Sequence, residues 1–301
     1  METRFLKTFL HVVETGSIAG AARKENVTSS AVVQRLRALE SDLGQVLVRR
    51  AGHSMQPTEA GRAILEAAKQ VVDVTESLQG LAQDQQDVGT IRVGVIHSMI
   101  TGLMPEILSS MELSVPMIKV EVIPGQSSHL FQRLKEKTLD GAIMIEPPFM
   151  LPKEYVWHEL RQDPLVVLTC SAETSEDPIE LLKRAPLIRY DRKHWGGRFG
   201  DRYLKKNRLN PNDRHELDSL EAIAVLVDRG LGISLVPDWL PPWPEGLSLR
   251  KLPLPDAPCR KIGIIYAHSA NNRRLMASLA DHAQKAAQIK GEVARMHATN
   301  R

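Results

Sequence analysis

The chain has 301 residues, 43% hydrophobic and 25% charged, which suits two or three soluble globular units. Its net charge of +3 excludes a polycation. No stretch approaches the ~20 apolar residues of a membrane span or has the make-up of a secretory leader, so a cytoplasmic location is expected.

Phe5, Phe9, Val12 and Val13 give residues 5–14 the apolar stripe of a first helix. Residues 17–40, SIAGAARKENVTSSAVVQRLRALE, read as two helices joined by a tight turn. The first, over 18–24, is rich in small residues (Ala19, Ala21, Ala22) that let another helix cross it closely. The second starts at Thr28 or Ser29, hydroxyl residues suited to accept from a free first-turn N–H, and stops before Gly44. Val32, Leu36 and Leu39 form its buried stripe. Ser29, Ser30, Gln34, Arg35 and Arg37 remain for the other face, where they can donate to phosphates and base edges. This is the layout of a helix-turn-helix, and Thr28 and Val33 belong to the same reading surface. Residues 46–50 and 54–56 then read as a hairpin that carries Arg49, Arg50 and His53 towards phosphates or the minor groove. Residues 1–58 hold eight cations (Arg4, Lys7, Arg23, Lys24, Arg35, Arg37, Arg49, Arg50) against five acids (Glu2, Glu14, Glu25, Glu40, Asp42), a +3 equal to that of the whole chain. A basic module on a near-neutral body suits a DNA-binding protein.

The ordered set of an Ala-rich helix, RALE, DLG, a basic hairpin and PTEAG resembles the N-terminal domain of the LysR-type transcriptional regulators, most specifically over residues 1–62. Val48, His53 and Pro57 stand where most members carry Phe, Arg and Leu. Ser29 and Val33 stand where Gln and Ser are common, which leaves the operator sequence open.

Thr58 is a natural cap for a helix running to about residue 87 without a proline. Its thin stripe of Ile64, Ala68, Val71, Val72, Leu78 and Leu81 suits pairing with a second chain. The resemblance makes 59–89 the linker helix and hinge of a homodimer or homotetramer, following a DNA-binding domain at 1–58. Beyond residue 90, strands are expected at 90–96, 118–123, 141–145, 164–169, 186–189 and 262–266. Helices are expected to about 110, and over 127–137, 220–228 and 273–289, with a fraying tail from Lys290. The alternation argues an α/β layer structure with largely parallel sheets. The resemblance supplies the topology: a two-lobed effector domain similar to periplasmic binding proteins, with lobe one at 90–162 plus 266–290 and lobe two at 163–265.

In such sheets ligands bind at the carboxyl ends of strands, beside helix N-termini. The candidates there are His97, Ser98 and Met99; Gln126, Ser127 and Ser128; Glu146; Arg189 and Tyr190; and Asp218 and Ser219. By resemblance they line the cleft for a small-molecule effector. Their many donors favour an anionic or strongly polar metabolite, while Glu146 and Asp218 leave a cationic amino acid open.

Cys170 and Cys259 fit no disulfide framework and no zinc spacing; a buried apolar role is expected, with redox sensing as the alternative. No metal and no cofactor are expected. No GxSxG, P-loop, HExxH or complete GxGxxG is present, which argues against an enzyme. The 200-residue α/β half argues against a purely architectural DNA binder. The expectation is a DNA-binding regulator, controlled by an effector, with double-stranded DNA and RNA polymerase as partners and no membrane.

Overall fold

The computed structural model describes residues 2–52, 54–82, 88–268 and 272–299, without the side chains of 70, 73, 76–82 and 292–299. His53, the side chains of Leu78 and Leu81, and most of the expected hinge lie outside the described residues. The chain forms two compact units, Met1–Thr90 and Ile91–Arg301.

In the first unit, α1 (Thr3–Thr15), α2 (Ile18–Glu25) and α3 (Ser29–Leu43) precede a hairpin of β1 (Val48–Ala51) and β2 (Ser54–Pro57) and the long helix α4 (Glu59–Ala82). The caps are local and side-chain made. Ser17 Oγ accepts from the N–H of Gly20, Thr28 Oγ1 from that of Ala31, and Thr58 Oγ1 from that of Gly61. Gly44 ends α3 in the left-handed region at φ 66°. Leu6, Phe9, Val12, Ala21, Ala22, Val32, Leu36 and Leu39 form one core with Leu47 and Val48. Glu25 pins three helices together: its carboxylate accepts from Thr8 of α1 at 2.9 Å and from Arg35 of α3 at 2.7 Å, and lies 3.1 Å from His11 Nδ1.

Helix α4 departs from a simple pairing helix. Ala68 and Val72 are buried in the same core, and Ile64 packs against it. Its first half therefore packs on its own domain, because it lies along α1. Of the described stripe, Val71 is the residue left open, at 42% exposure.

The second unit begins with β3 (Gly89–Val95), α5 (His97–Gly102), α6 (Met104–Ser114), β4 (Ile118–Pro124), α7 (Ser127–Lys135), β5 (Gly141–Ile145) and the long strand β6 (Tyr155–Cys170). It continues with α8 (Pro178–Arg184), β7 (Pro186–Tyr190), α9 (Gly197–Lys206), β8 (Asn212–Leu217), α10 (Leu220–Asp228), β9 (Ser234–Pro237), β10 (Leu249–Pro253), β11 (Cys259–Ala267) and α11 (Arg273–Thr299). One helix was expected after residue 98. Two form because Pro105 has no N–H to continue α5 and sits instead in the first turn of α6. Helix α11 runs through the tail expected to fray, whose Lys, Glu, Ala and Arg are good helix formers.

One sheet carries the order β4–β3–β5–β11–β6, and β6 continues into a second sheet with β9 and β10. The parallel pair β7–β8 joins β9 through a bridge between Leu187 and Ile233. The expectation of largely parallel sheets fails. β3 and β5 are parallel, but β11 runs antiparallel to both β5 and β6, as does β6 to β9 and β10. The cause is that β6 and β11 are the two crossings between sheets. β11 joins the first sheet from Ile262 onward, so 262–265, assigned above to lobe two, belong with the first core.

The run Leu165-Val166-Val167-Leu168 is apolar throughout because both faces of the second sheet are covered. Leu165 and Val167 meet Leu181, Tyr203 and Leu204, whereas Val166 and Leu168 meet Ile223, Val227 and Trp239. The cysteines correct the expected burial: Cys259 is exposed and Cys170 partly so, both at strand ends.

Between α6 and α11, Ser110 Oγ lies 2.7 Å from Nδ1 of the buried His282. Burial, and then Lys285, hold this imidazole below its ordinary value. The folded state therefore resists a proton that the unfolded chain takes up. The resulting stability is full above the unfolded value near pH 6.5 and is lost as pH falls from there towards the folded value. Urea midpoints of the second unit should fall between about pH 7.5 and about pH 5.5, and fall less in His282→Gln. Equal losses in both proteins would remove His282 as the cause.

Candidate functional site

In the first unit the exposed surface of α3 carries Ser29, Ser30, Gln34 and Arg37, with Val33 half-buried beside them. Arg37 has no ion pair among the described residues. Arg35 does not share this face. Two residues along a helix means a rotation of roughly 200°, and Arg35 is turned inward to its 2.7 Å ion pair with Glu25. It is a tie between helices, not a free donor. Thr28 is exposed, but its hydroxyl is engaged as the α3 cap. Arg49 and Arg50 are both exposed on β1, opposite Gln56 and Met55. Successive strand residues point to opposite sides, so these two cations flank the hairpin, and Arg50 Nε donates to the carbonyl of Gly52.

In the second unit a cavity of about 160 Å³ opens where strands end and helices begin. Its wall is built from His97 and Ser98 of α5; Gln126, Ser127 and Ser128 at the start of α7; Tyr190 at the end of β7; and Asp218 and Ser219 ahead of α10. These eight, drawn from four segments, are the sequence candidates that meet there. Three others do not. Met99 is fully buried in the first core. Glu146 lies 3.9 Å from Lys261 and lines a different cleft with Arg192, Arg198 and Arg202. Arg189 is forked onto Asp213, with bonds of 2.7–3.0 Å, and is not in the wall.

The cavity also contains residues that local pattern did not mark: His194, Trp195, Glu221 and Arg260. Glu221 stands two residues after the cap Ser219 and was within reach of the same argument. Arg260 was not, since it sits in β11 with no periodic signal. It is 1% exposed and donates to Ser98 Oγ at 3.1 Å and to Asp163 at 2.8–2.9 Å.

Several serines serve the fold first. Ser127 Oγ accepts from the N–H of Ile145, and Ser219 Oγ accepts from Ala222 while donating to Glu221. Gln126 places no side-chain cap on α7, whose first turn holds no acid. The free N–H groups of that turn therefore favour negative charge. Burial pushes the Tyr190 phenol above its ordinary value; Arg260 opposes this, and Asp218 and Glu221 add to it. The wall thus holds charges of both signs, with donors suited to an anion on the α5–α7 side.

Two family models match this chain: a bacterial regulatory helix-turn-helix of the lysR family over residues 3–62, and the LysR substrate binding domain over 84–288. Among curated proteins, the HTH-type transcriptional regulator CzcR of Bacillus cereus is 29% identical over 239 residues, covering 79% of this chain and 80% of that one. The HTH-type transcriptional activator CmpR of Synechocystis sp. is 28% identical over 238 residues, covering 76% and 77%. Among solved structures, an OxyR mutant of Corynebacterium glutamicum superposes with a TM-score of 0.70 at 24% identity, covering 99% of this chain and 96% of that one. Full-length CbnR complexed with its target DNA gives 0.62 at 22%, covering 95% and 100%. At such identities the structural likeness speaks for the fold.

Proposed function

The chain belongs to the LysR family of DNA-binding transcriptional regulators, and we propose that it reads its operator with the exposed α3 face and answers to a small molecule in the cavity of the second unit. The observation that carries the DNA half is the exposed row Ser29, Ser30, Gln34 and Arg37, beside the exposed Arg49 and Arg50. α3 would lie in the major groove, Ser30 or Gln34 touching a base edge and Arg37 a phosphate. The hairpin cations would meet the backbone on either side. Two or four copies, joined along the α4 surface that includes Val71, would bind successive half-sites. A solved relative, CbnR, is complexed with its target DNA, and the same class of partner suits this basic module. On this reading the protein works in the cytoplasm, with RNA polymerase as a further partner, and carries out no catalysis. Among the described residues, no helix is long and apolar enough to cross a membrane.

The effector half rests on the cavity and its converging polar groups. A ligand drawing α5 and α7 towards Tyr190 and α10 would change how the two sheets sit across the β6 and β11 crossings, and through them the spacing of paired reading helices.

The test uses DNA recovered by genome-wide mapping of sites bound by this protein. Arg37→Ala should weaken binding to specific and random duplexes alike and reduce the slope of log K against log salt by about 1. Arg35→Ala should leave that slope alone and lower the unfolding temperature of the first unit. A normal slope and affinity in Arg37→Ala would take this face out of the interface.

A further inference from the structure

The wall of the cavity is electrically two-sided. On one side lies Arg260. Its partner Asp163 also accepts from Arg161, so among the described residues two guanidinium groups have one carboxylate between them as ion-pair partner. Ser98, whose oxygen accepts from Arg260, still has a hydroxyl hydrogen to donate. The uncapped first turn of α7 adds N–H groups on the same side. On the other side stand Asp218 and Glu221. Among the described residues neither has a cation within ion-pair distance, and the α10 turn beside them is already capped by Ser219. His97 and His194 also face the space, and His194 Nε2 lies 3.3 Å from Asp191 Oδ2.

A ligand with anionic groups alone would bring charge against Asp218 and Glu221. An amine alone would leave the Arg260 side unmet. Either mismatch leaves charged groups of the wall unmet, and a mismatch of this kind is how a site rejects the wrong molecule. Volume narrows the choice. A cavity of about 150 Å³ holds benzene, so about 160 Å³ suits a molecule of roughly that size. Ile145 and Trp195 offer apolar surface for a short substituent.

We propose that the effector is a small zwitterion, an α-amino acid with a short side chain, its carboxylate held by Arg260, Ser98 and the first turn of α7 and its ammonium by Asp218 and Glu221. The proposal rests on the reading of this cavity as the effector site. It unites the two chemistries that the sequence left as alternatives, because the structure puts Asp218 in one wall with Ser98, Gln126, Ser127 and Ser128.

Calorimetric titration of the full-length protein with the twenty L-amino acids, and with propionate, ethylamine, 3-hydroxypropionate and ethanolamine, tests it. At least one short-chain amino acid should bind, and its analogues lacking either charge should bind at least ~10-fold more weakly, because each loses the charged hydrogen bonds of one side of the wall. In the Asp218→Asn/Glu221→Gln variant this preference should reverse, the carboxylate analogue binding at least as well as the amino acid. A role for those acids in folding alone would not produce that exchange of specificity. A single-charge analogue that binds wild type as tightly as the amino acid overturns the zwitterion; if Ser128→Trp abolishes its binding, the cavity reading survives. Absence of binding by the whole panel also overturns the zwitterion. The cavity reading is then judged separately, by whether a metabolite extract alters DNA binding of wild type but not of Ser128→Trp.

Discussion

Asp163→Ala is expected to destabilise the second unit by roughly 3–5 kcal/mol, the loss typical when one partner of a buried ion pair is removed. Asp163 is fully buried and Arg260 is 1% exposed. They face each other across the register of β6 and β11, the two strands that cross between the sheets. Arg260 cannot shed its charge, because a guanidinium stays protonated. Without the carboxylate, two arginines would be left facing each other with Ser98 as a poor substitute. The pair therefore belongs both to the fold and to the cavity wall. Urea unfolding followed by circular dichroism, with the two units read as separate transitions, gives the number. A shift of the second transition below about 1 kcal/mol would mean that water compensates Arg260 and that the pair holds little. Asp163→Asn, which keeps the shape and one acceptor oxygen but loses the charge and turns an amide NH2 towards one of the two arginines, should fall between the two proteins.

Gly61→Ala should cost the first unit about 3 kcal/mol and abolish DNA binding with it, the upper end of what overpacking a closed site does. A Cβ at residue 61 would stand 2.1 Å from the carbonyl oxygen of Leu47. That oxygen is not free to retreat, since it accepts from the N–H of Thr58 at 2.9 Å, and Thr58 in turn donates to Val46. The start of α4, the lead-in to the hairpin and Glu40, whose carboxylate accepts from the N–H of Leu47, form one closed set of bonds. Relief by moving α4 would draw Ala68 and Val72 from the core; relief by moving the strand would displace Arg49 and Arg50. Scanning calorimetry of Gly61→Ala beside Gly52→Ala, where an added Cβ meets nothing, separates steric crowding from the generic effect of removing glycine. Gly52 has a positive φ, so that control carries its own strain; only a larger loss at residue 61 supports the closed-set argument.

What the sequence determined by itself was local. The α2–α3 pair, the Thr28 cap, the Gly44 stop and the stripe Val32, Leu36, Leu39 were all legible, because capping and helical periodicity act between residues at most four apart. α10 was readable to the residue for the same reason. So were eight of the cavity residues, which sit where a strand ends or a helix begins. The partners of charged side chains were not legible. Arg35 looked like a donor to DNA and is tied to Glu25 ten residues back; Arg189 looked like an anion receptor and is held by Asp213 on the neighbouring strand. The guanidinium that does reach the cavity, Arg260, depends on a carboxylate 97 residues away. Strand β6 before Pro164 was missed because its half-polar run carries no clean alternation, and its place is decided by β11, which pairs with it from the far end of the chain. Periodicity records which face of an element is apolar. Only the packed structure decides which charges neutralise one another and which remain for a ligand, because a charge takes whatever partner the tertiary fold brings within a few ångströms, at any distance along the chain.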